Sequence, residues 1–295
     1  DRALAEFSHV GAYPGEMLSV VDNILDMGYF GSVLPELARR RLAQPIFYET
    51  KANLSRPQVR GLREAGILTI QPGIENLSDR VLKLMRKGTT GLRNIQLLKW
   101  AREYGVGVEW NILYGFPGEE DADYDETLAL IPKIAHLQAP SGIGPVRIDR
   151  FAPYYETPEA FGITGLRPLP VFDHLYPFDA DVKARIACYF DAEHGASLAS
   201  PALVARLGRA VEAWRARRGA VLRVTDDGRQ LAITDTRRGR ALRHRLTGAD
   251  RLIYLACDKA QSTAGIGRAL AHAGRGEIGE ARIAARLADL VAADL

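Results

Sequence analysis

Glu109 and Asn111 stand two residues apart in the stretch 106–120, VGVEWNILYGFPGEE, which runs into Gly115-Phe116-Pro117-Gly118. Val106, Val108, Trp110 and Ile112 alternate with Gly107, Glu109, Asn111 and Leu113, and such a period of two, rich in β-branched and aromatic residues, predicts a strand. The carboxylate and the amide then share one of its faces. A buried strand has little use for such a pair in packing alone. The pattern makes sense if both groups point at a ligand and the bare backbone of the glycine turn lies against it. The acidic run 119–126 opens a predicted helix that continues through His136.

Comparable groups recur along the chain. Asp22 and Asn23 sit in the apolar run 19–26. Glu49 and Lys51 alternate with Tyr48 and Thr50 in 45–51, and Gln71 ends the strand 67–71, which leads to Pro72-Gly73-Ile74-Glu75. Arg147 and Asp149 lie in 146–151, the last strand of the series, led in by the glycine-rich 141–145. Helices are predicted between them over 32–41, 56–64, 77–86 and 92–104. Strands alternating with helices argue for parallel βαβ units, which an open doubly wound sheet or a barrel would satisfy. Polar groups late in five successive strands favour the barrel, which builds its site at the C-terminal ends of its strands. The expected class is α/β, a partial (β/α)6 TIM-like barrel over residues 1–160.

Beyond it, 154–177 is rich in proline and aromatics and reads as a strap over the barrel. Helices over 179–190 and 201–217 complete a connector, 161–217. Residues 218–295 form a distinct unit. Strands 220–225 and 230–236 meet at Asp226-Asp227-Gly228, a hairpin signal, and 241–246 is a third strand. Helices over 247–257, 263–271 and 277–293 follow, an order that describes a small winged-helix-like α+β domain. This unit holds 14 Arg+Lys against 9 Asp+Glu, whereas the whole chain is only +3.

The 47% hydrophobic and 25% charged fractions are those of an ordinary globular protein. No apolar run approaches the roughly 18 residues of a membrane span, so no membrane partner is expected. Cys188 and Cys257 are far apart in apolar helical patterns and read as buried thiols of a reducing, cytoplasmic compartment. Neither has a neighbour at metal-ligand spacing, so no metal ligand is assigned. Asp1 in place of a methionine reads as a processed product or part of something longer. An acid–base pair of Glu49 and Glu109 could serve hydrolysis in a barrel, but no strand-end His, Ser or metal cluster supports it.

The motifs FYETKANL (47–54), IQPGIENLSDRVLKLMRKGTT (70–90), LLKWAREYGVGVEWNILYGFPGEE (97–120) and RIDRFAPYYETP (147–158), with VDNILDM (21–27), resemble the radical S-adenosylmethionine superfamily. More narrowly, residues 18–190 resemble its branch that matures ribosomally made peptides, usually with an upstream cobalamin domain. The resemblance implies that Gly73, Ile74 and Glu75 and residues 114–119 border the S-adenosylmethionine site. The backbone of Gly115, Phe116, Pro117 and Gly118 would approach the adenine. Glu49, Lys51 and Asn111 would meet the cofactor's polar groups, with Glu109 and Asp22 in reserve, and Arg147, Asp149 and Tyr154 would face substrate as the catalytic set.

The implied 4Fe-4S cluster needs three closely spaced cysteines, which this sequence lacks, so its ligands are expected upstream of Asp1, as is any cobalamin domain. The implied reaction is C-methylation of a precursor peptide. A cobalamin-independent epimerase or crosslinking enzyme and a non-catalytic peptide-binding scaffold are the alternatives. The tail is similar to PqqD-like recognition elements, which capture a leader peptide at a sheet edge. Arg237, Arg238, Arg240, Arg243, Arg245 and Arg251 would favour an acidic leader. A nucleic-acid partner is disfavoured because the helix 263–271 offers only Arg268.

Overall fold

The structure is a computed structural model and describes residues 2–22, 24–194, 199–272 and 278–295. Asn23 and Glu277, which the sequence placed in an apolar run and at a helix start, lie outside the described residues.

The barrel strands are β1 (Leu18–Ser19), β2 (Ile46–Glu49), β3 (Ile67–Gln71), β4 (Gly107–Val108), β5 (Asn111–Tyr114) and β6 (Gly142–Pro145). β1 to β4 pair in parallel in chain order, and β5 pairs in parallel with β6. β4 and β5 are one strand interrupted at Glu109-Trp110. Across the break, Glu109 N donates to the Ile70 carbonyl at 2.8 Å and Ser141 N to the Trp110 carbonyl at 2.6 Å. Strands, helices and crossovers thus make a partial barrel, as the alternation predicted.

Strands β2 to β5 each have buried positions on one side and open ones on the other. Ile46, Tyr48, Ile70, Val108, Trp110 and Ile112 are buried against Leu37, Val59, Leu62, Leu97, Leu98, Leu207 and Trp214 of the surrounding helices. Burying a leucine or phenylalanine side chain contributes about 1.5–3 kcal/mol, so this one layer fixes which face is left for chemistry. The helix Arg56–Glu64 starts on a reciprocal capping box of Ser55 and Gln58, with proline in its first turn. The helix Gly91–Tyr104 ends on Gly105 at φ 68°, a left-handed position that suits glycine.

Four expectations are corrected. The last parallel strand is the glycine-rich β6, not 146–151. Ile148–Asp149 (β7) instead joins Ile163–Pro168 (β8) and Tyr189–His194 (β9) in an antiparallel sheet ordered β7-β9-β8. That sheet stands where a strap was expected; the helix expected over 179–190 is present as Ala180–Ile186 and gives way to β9, and the sheet has its own core of Ile148, Ile163, Phe172, Ala187 and Phe190. The helix expected from 119 to 136 is broken into short turns around Asp125–Leu130, because Pro132 lacks the N–H that would continue it. Cys188 and Cys257 are exposed.

The C-terminal unit has the expected element order. Strands Leu222–Asp226 (β10), Gln230–Asp235 (β11) and Leu242–Thr247 (β12) form an antiparallel meander. The helices Gly248–Ala256, Thr263–His272 and Glu280–Ala292 close on Ile253, Ile266, Leu270, Ile283 and Leu290. Arg237 clasps it to the barrel. The guanidinium is buried, forks onto Asp235 at 3.0 and 2.8 Å, and donates to the Lys133 carbonyl at 2.6 Å. Burial alone would raise the Asp235 carboxyl, but the hydrogen bonds from Arg237 overcome it and hold the group below the usual carboxylate range.

Methionine at 237 is expected to destabilise the fold by about 3 kcal/mol, because it strands a buried carboxylate. Adding Asp235→Asn should restore part of the loss. A double variant no more stable in urea than the single one would remove the clasp.

Candidate functional site

The open face of the barrel sheet carries the polar strand residues. Phe47, Thr69 and Gly107 stand in one row across β2, β3 and β4, and Glu49 pairs in register with Gln71. Asn111 lies beside Gly142 and Leu113 beside Gly144. Glu49, Gln71, Glu109 and Asn111 are all exposed there, whereas Tyr48, Ile70, Val108, Trp110 and Ile112 between them are buried. Lys51 is exposed one step past the buried Thr50, whose N donates to the Gln71 carbonyl at 2.9 Å. Gly142 and Gly144 leave a lane of bare backbone beside Asn111 and Leu113, whereas the Thr69 side chain stands 3.3 Å from where a Cβ on Gly107 would lie. A Cβ on Gly144 would meet nothing within 4 Å, so the lane is open above it. Bare backbone flanked by acid and amide groups can receive a flat ring and hydrogen-bond its hydroxyls and amines. Asp22 accepts from the buried Tyr48 hydroxyl at 3.0 Å, which ties it to the barrel wall.

At the C-terminal end of β5 the chain turns through Gly115 (φ 87°), the buried Phe116, Pro117 and Gly118 (φ 82°). Both glycines occupy the left-handed region that side chains resist. The turn is held from beneath by Glu119, which is fully buried. Its carboxylate accepts from Gly115 N at 2.6 Å and from the Tyr124 hydroxyl at 2.7 Å. Burial, then Glu119, pushes the Tyr124 phenol well above its ordinary range, so it stays a donor. Asn76 completes the support. Its amide donates to the Leu113 carbonyl at 3.0 Å, its oxygen accepts from Leu77 N and Ser78 N, and Asn94 donates to its carbonyl at 2.9 Å.

Gly73 (φ 61°) follows β3, and Glu75 beside it pairs with Lys87 at 2.9 Å and accepts Leu113 N on its carbonyl. Tyr154 reaches the turn from the short helix Pro153–Glu156, which follows β7. Its ring centroid lies 6.5 Å from Phe116 and 4.6 Å from Phe161. Burial, with Glu119 adding to it, pushes its phenol up to about 12.

The structure therefore gathers Glu49, Lys51, Gly73, Glu75, Asn111, residues 115–118 and Tyr154 at one end and one face of the barrel. Arg147 and Asp149 are placed differently. They are exposed on the antiparallel sheet, forked together at 2.5 and 3.0 Å, with the Arg147 guanidinium 4.1 Å over Tyr189. They are not on the last barrel strand. Asn76, Asn94 and Tyr124 were missed in the sequence. Asn76 directly follows Glu75 and Glu119 directly follows the glycine turn, so adjacency to a motif was the available signal.

Residues 16–131 match the family model described as the Radical SAM superfamily. This stretch is similar to the domain of that superfamily. It contains the whole turn, Asn76, Asn94, Glu119 and the open faces of β2 to β5. Among curated relatives, the tRNA-2-methylthio-N(6)-dimethylallyladenosine synthase of Agrobacterium fabrum is 34% identical over 68 residues, 22% of this chain and 15% of that protein. The chain thus spans under a sixth of that relative's length.

Among solved structures, the radical S-adenosylmethionine methyltransferase TsrM from Kitasatospora setae aligns with TM-score 0.45 and 20% identity, over 57% of this chain and 36% of that one. Coproporphyrinogen III oxidase (HemN) from Escherichia coli aligns with TM-score 0.44 and 13% identity, over 90% and 70%. Likeness of this degree bears on neither reaction nor substrate. No described helix is long and apolar enough to cross a membrane.

Proposed function

We propose that residues 16–131 are a radical SAM domain that binds S-adenosylmethionine on the open face of the barrel, as part of an enzyme that methylates a carbon of a ribosomally made precursor peptide. The observation that carries the cofactor reading is the glycine lane beside Asn111, closed by the Glu119-locked turn. When bound, S-adenosylmethionine would supply an activated methyl group on its sulfonium. Gly115 and Gly118 bring bare backbone to its adenine, Glu49 and Asn111 hydrogen-bond its ribose and amino-acid portions, and Lys51 meets its carboxylate. Tyr154, protonated at neutral pH, walls the site beside Phe116 and faces substrate.

A 4Fe-4S cluster does not fit the described residues. The two thiols lie in separate units, and no described group of three His, Cys, Asp or Glu side chains could hold a metal. The peptide reading rests on the resemblance of 18–190 and on the tail, where the structure narrows the candidate arginines. Arg237 is clasped to Asp235, Arg238 to Asp294 and Arg251 to Asp226. Arg243 and Arg245 remain exposed on β12, in rows with Thr234 and Arg223 and with Ala232 and Thr225. These two, with Arg240, which is likewise exposed and in no ion pair among the described residues, are the residues for an acidic leader.

The test is S-adenosylmethionine binding by equilibrium dialysis, with Gly118→Val as the probe. A Cβ at Gly118 would lie 3.7 Å from Leu84, so there is space, but φ 82° resists a β-branched residue. Affinity is expected to fall at least about tenfold, which is about 1.4 kcal/mol, with the barrel still folded. Unchanged affinity would remove the turn from the cofactor site. Failure of the unaltered protein to bind would remove the cofactor reading itself.

A further inference from the structure

A second concavity lies at the opposite pole of the barrel, where the strands begin. It measures about 690 Å3 and forms where residues 105–108, residues 136–141 and the end of the helix Pro201–Arg215 meet. That is within the roughly 300–1,000 Å3 of small-ligand sites. Arg102, Arg215 and Arg218 line it, and no carboxylate does. None of the three forms an ion pair among the described residues, although Lys99 and Arg56 nearby are paired with Glu103 and Asp258. Arg215 is steadied by its Nε, which donates to the Pro140 carbonyl at 3.0 Å.

Helix ends offer the bland explanation. Arg102 and Arg215 each stand in the last turn of a helix, where the macrodipole presents about half a negative charge. Two such ends offset about one of the three cations, and about two positive charges stay uncompensated in one concavity. His136, also in the lining, has an Nδ1 buried without a partner. Burial first, then Arg237, with Arg102 and Lys99 adding to it against Asp235, lowers its pKa to about 4, so the ring is neutral at pH 7.

We propose that this cavity is a binding site for a phosphate-bearing ligand, held by Arg102, Arg215 and Arg218 and separate from the open barrel face. A phosphate delivers two charges within a few ångströms and takes bidentate bonds from planar guanidinium forks, whereas a single carboxylate would answer only one arginine. Gly107 begins the strand that ends in the cofactor turn at Tyr114, so the two sites sit at opposite ends of one strand.

Trp214 lines the cavity, with Trp110 edge-on to it at 5.8 Å, so tryptophan emission reports on it directly. The full chain is titrated with inorganic pyrophosphate, by emission and by calorimetry. Saturable binding is expected, weakened roughly tenfold by Arg102→Gln and by Arg218→Gln, each about 1.4 kcal/mol. The double variant should lose roughly a hundredfold, and Arg93→Gln, at the far end of the same helix, should lose nothing. Saturating S-adenosylmethionine should leave the titration unchanged. Absence of saturable binding, survival of binding in the double variant, equal loss in Arg93→Gln, or competition by S-adenosylmethionine each overturns the proposal. A tetraglutamate peptide that binds with the same arginine dependence while pyrophosphate does not would reassign the cavity to acidic peptides and overturn the phosphate assignment.

Discussion

Alanine at position 91 is expected to destabilise the barrel by more than about 4 kcal/mol, enough to unfold or precipitate it. Gly91 opens the helix Gly91–Tyr104, and its N donates to Asp79 at 2.7 Å. A Cβ there would lie 1.9 Å from the Leu77 carbonyl oxygen, which no rotamer change can relieve, since the obstacle is backbone. The peptide that must move belongs to the Asn76–Ser78 turn, which Asn76 and Asn94 hold rigid under β5. Urea denaturation measures the loss. An alanine variant with the midpoint of the unaltered protein would show that helix and turn do not approach so closely.

Alanine at Glu119 should cost about 3 kcal/mol and at least a hundredfold in S-adenosylmethionine affinity, because it leaves the buried Gly115 N–H without its partner and the Tyr124 hydroxyl with only the longer bond to the Leu113 carbonyl. Glutamine should cost far less. Its carbonyl oxygen can still accept from Gly115, and Tyr124, 3.2 Å from the Leu113 carbonyl, has a second acceptor in reach. The order is what matters: glutamine near the unaltered protein and alanine far below, in both melting temperature and dialysis. If alanine melts lower yet binds the cofactor normally, Glu119 supports the fold and not the turn.

How much of this was legible depended on whether the signal was local. The strand 67–71 and the helix 56–64 have the bounds expected of them, and the alternation through Val106–Leu113 gave the open face carrying Glu109 and Asn111. The last parallel strand was misplaced because Gly142-Ile143-Gly144-Pro145 has the composition that strands avoid. It pairs because glycines are wanted beneath the open face. Val146–Phe151 alternates as a strand should, but only Ile148–Asp149 pairs, and antiparallel.

The tail arginines look alike in sequence. Which are spent on Asp235, Asp294 and Asp226 and which face outward is set by contacts that charge counting cannot see. Asn76 and Asn94 are eighteen residues apart along the chain and bonded in space. No periodicity announces such a pair.

The three apolar cores, one under the barrel, one in the antiparallel sheet and one in the C-terminal unit, share no buried residue. The C-terminal unit can therefore open on its own schedule, coupled to the barrel through polar clasps such as Arg237 on the Lys133 carbonyl and Lys99 on Asp258, whereas Tyr154 packs against both other cores and ties them together. Polar clasps couple weakly compared with shared packing. Heat or denaturant would then meet a sequence of partial openings and not one all-or-none transition, and a single melting midpoint would average over them. The open barrel face belongs to the largest of the three cores, so the C-terminal unit can loosen and reclose while the turn at Gly115–Gly118 keeps its shape.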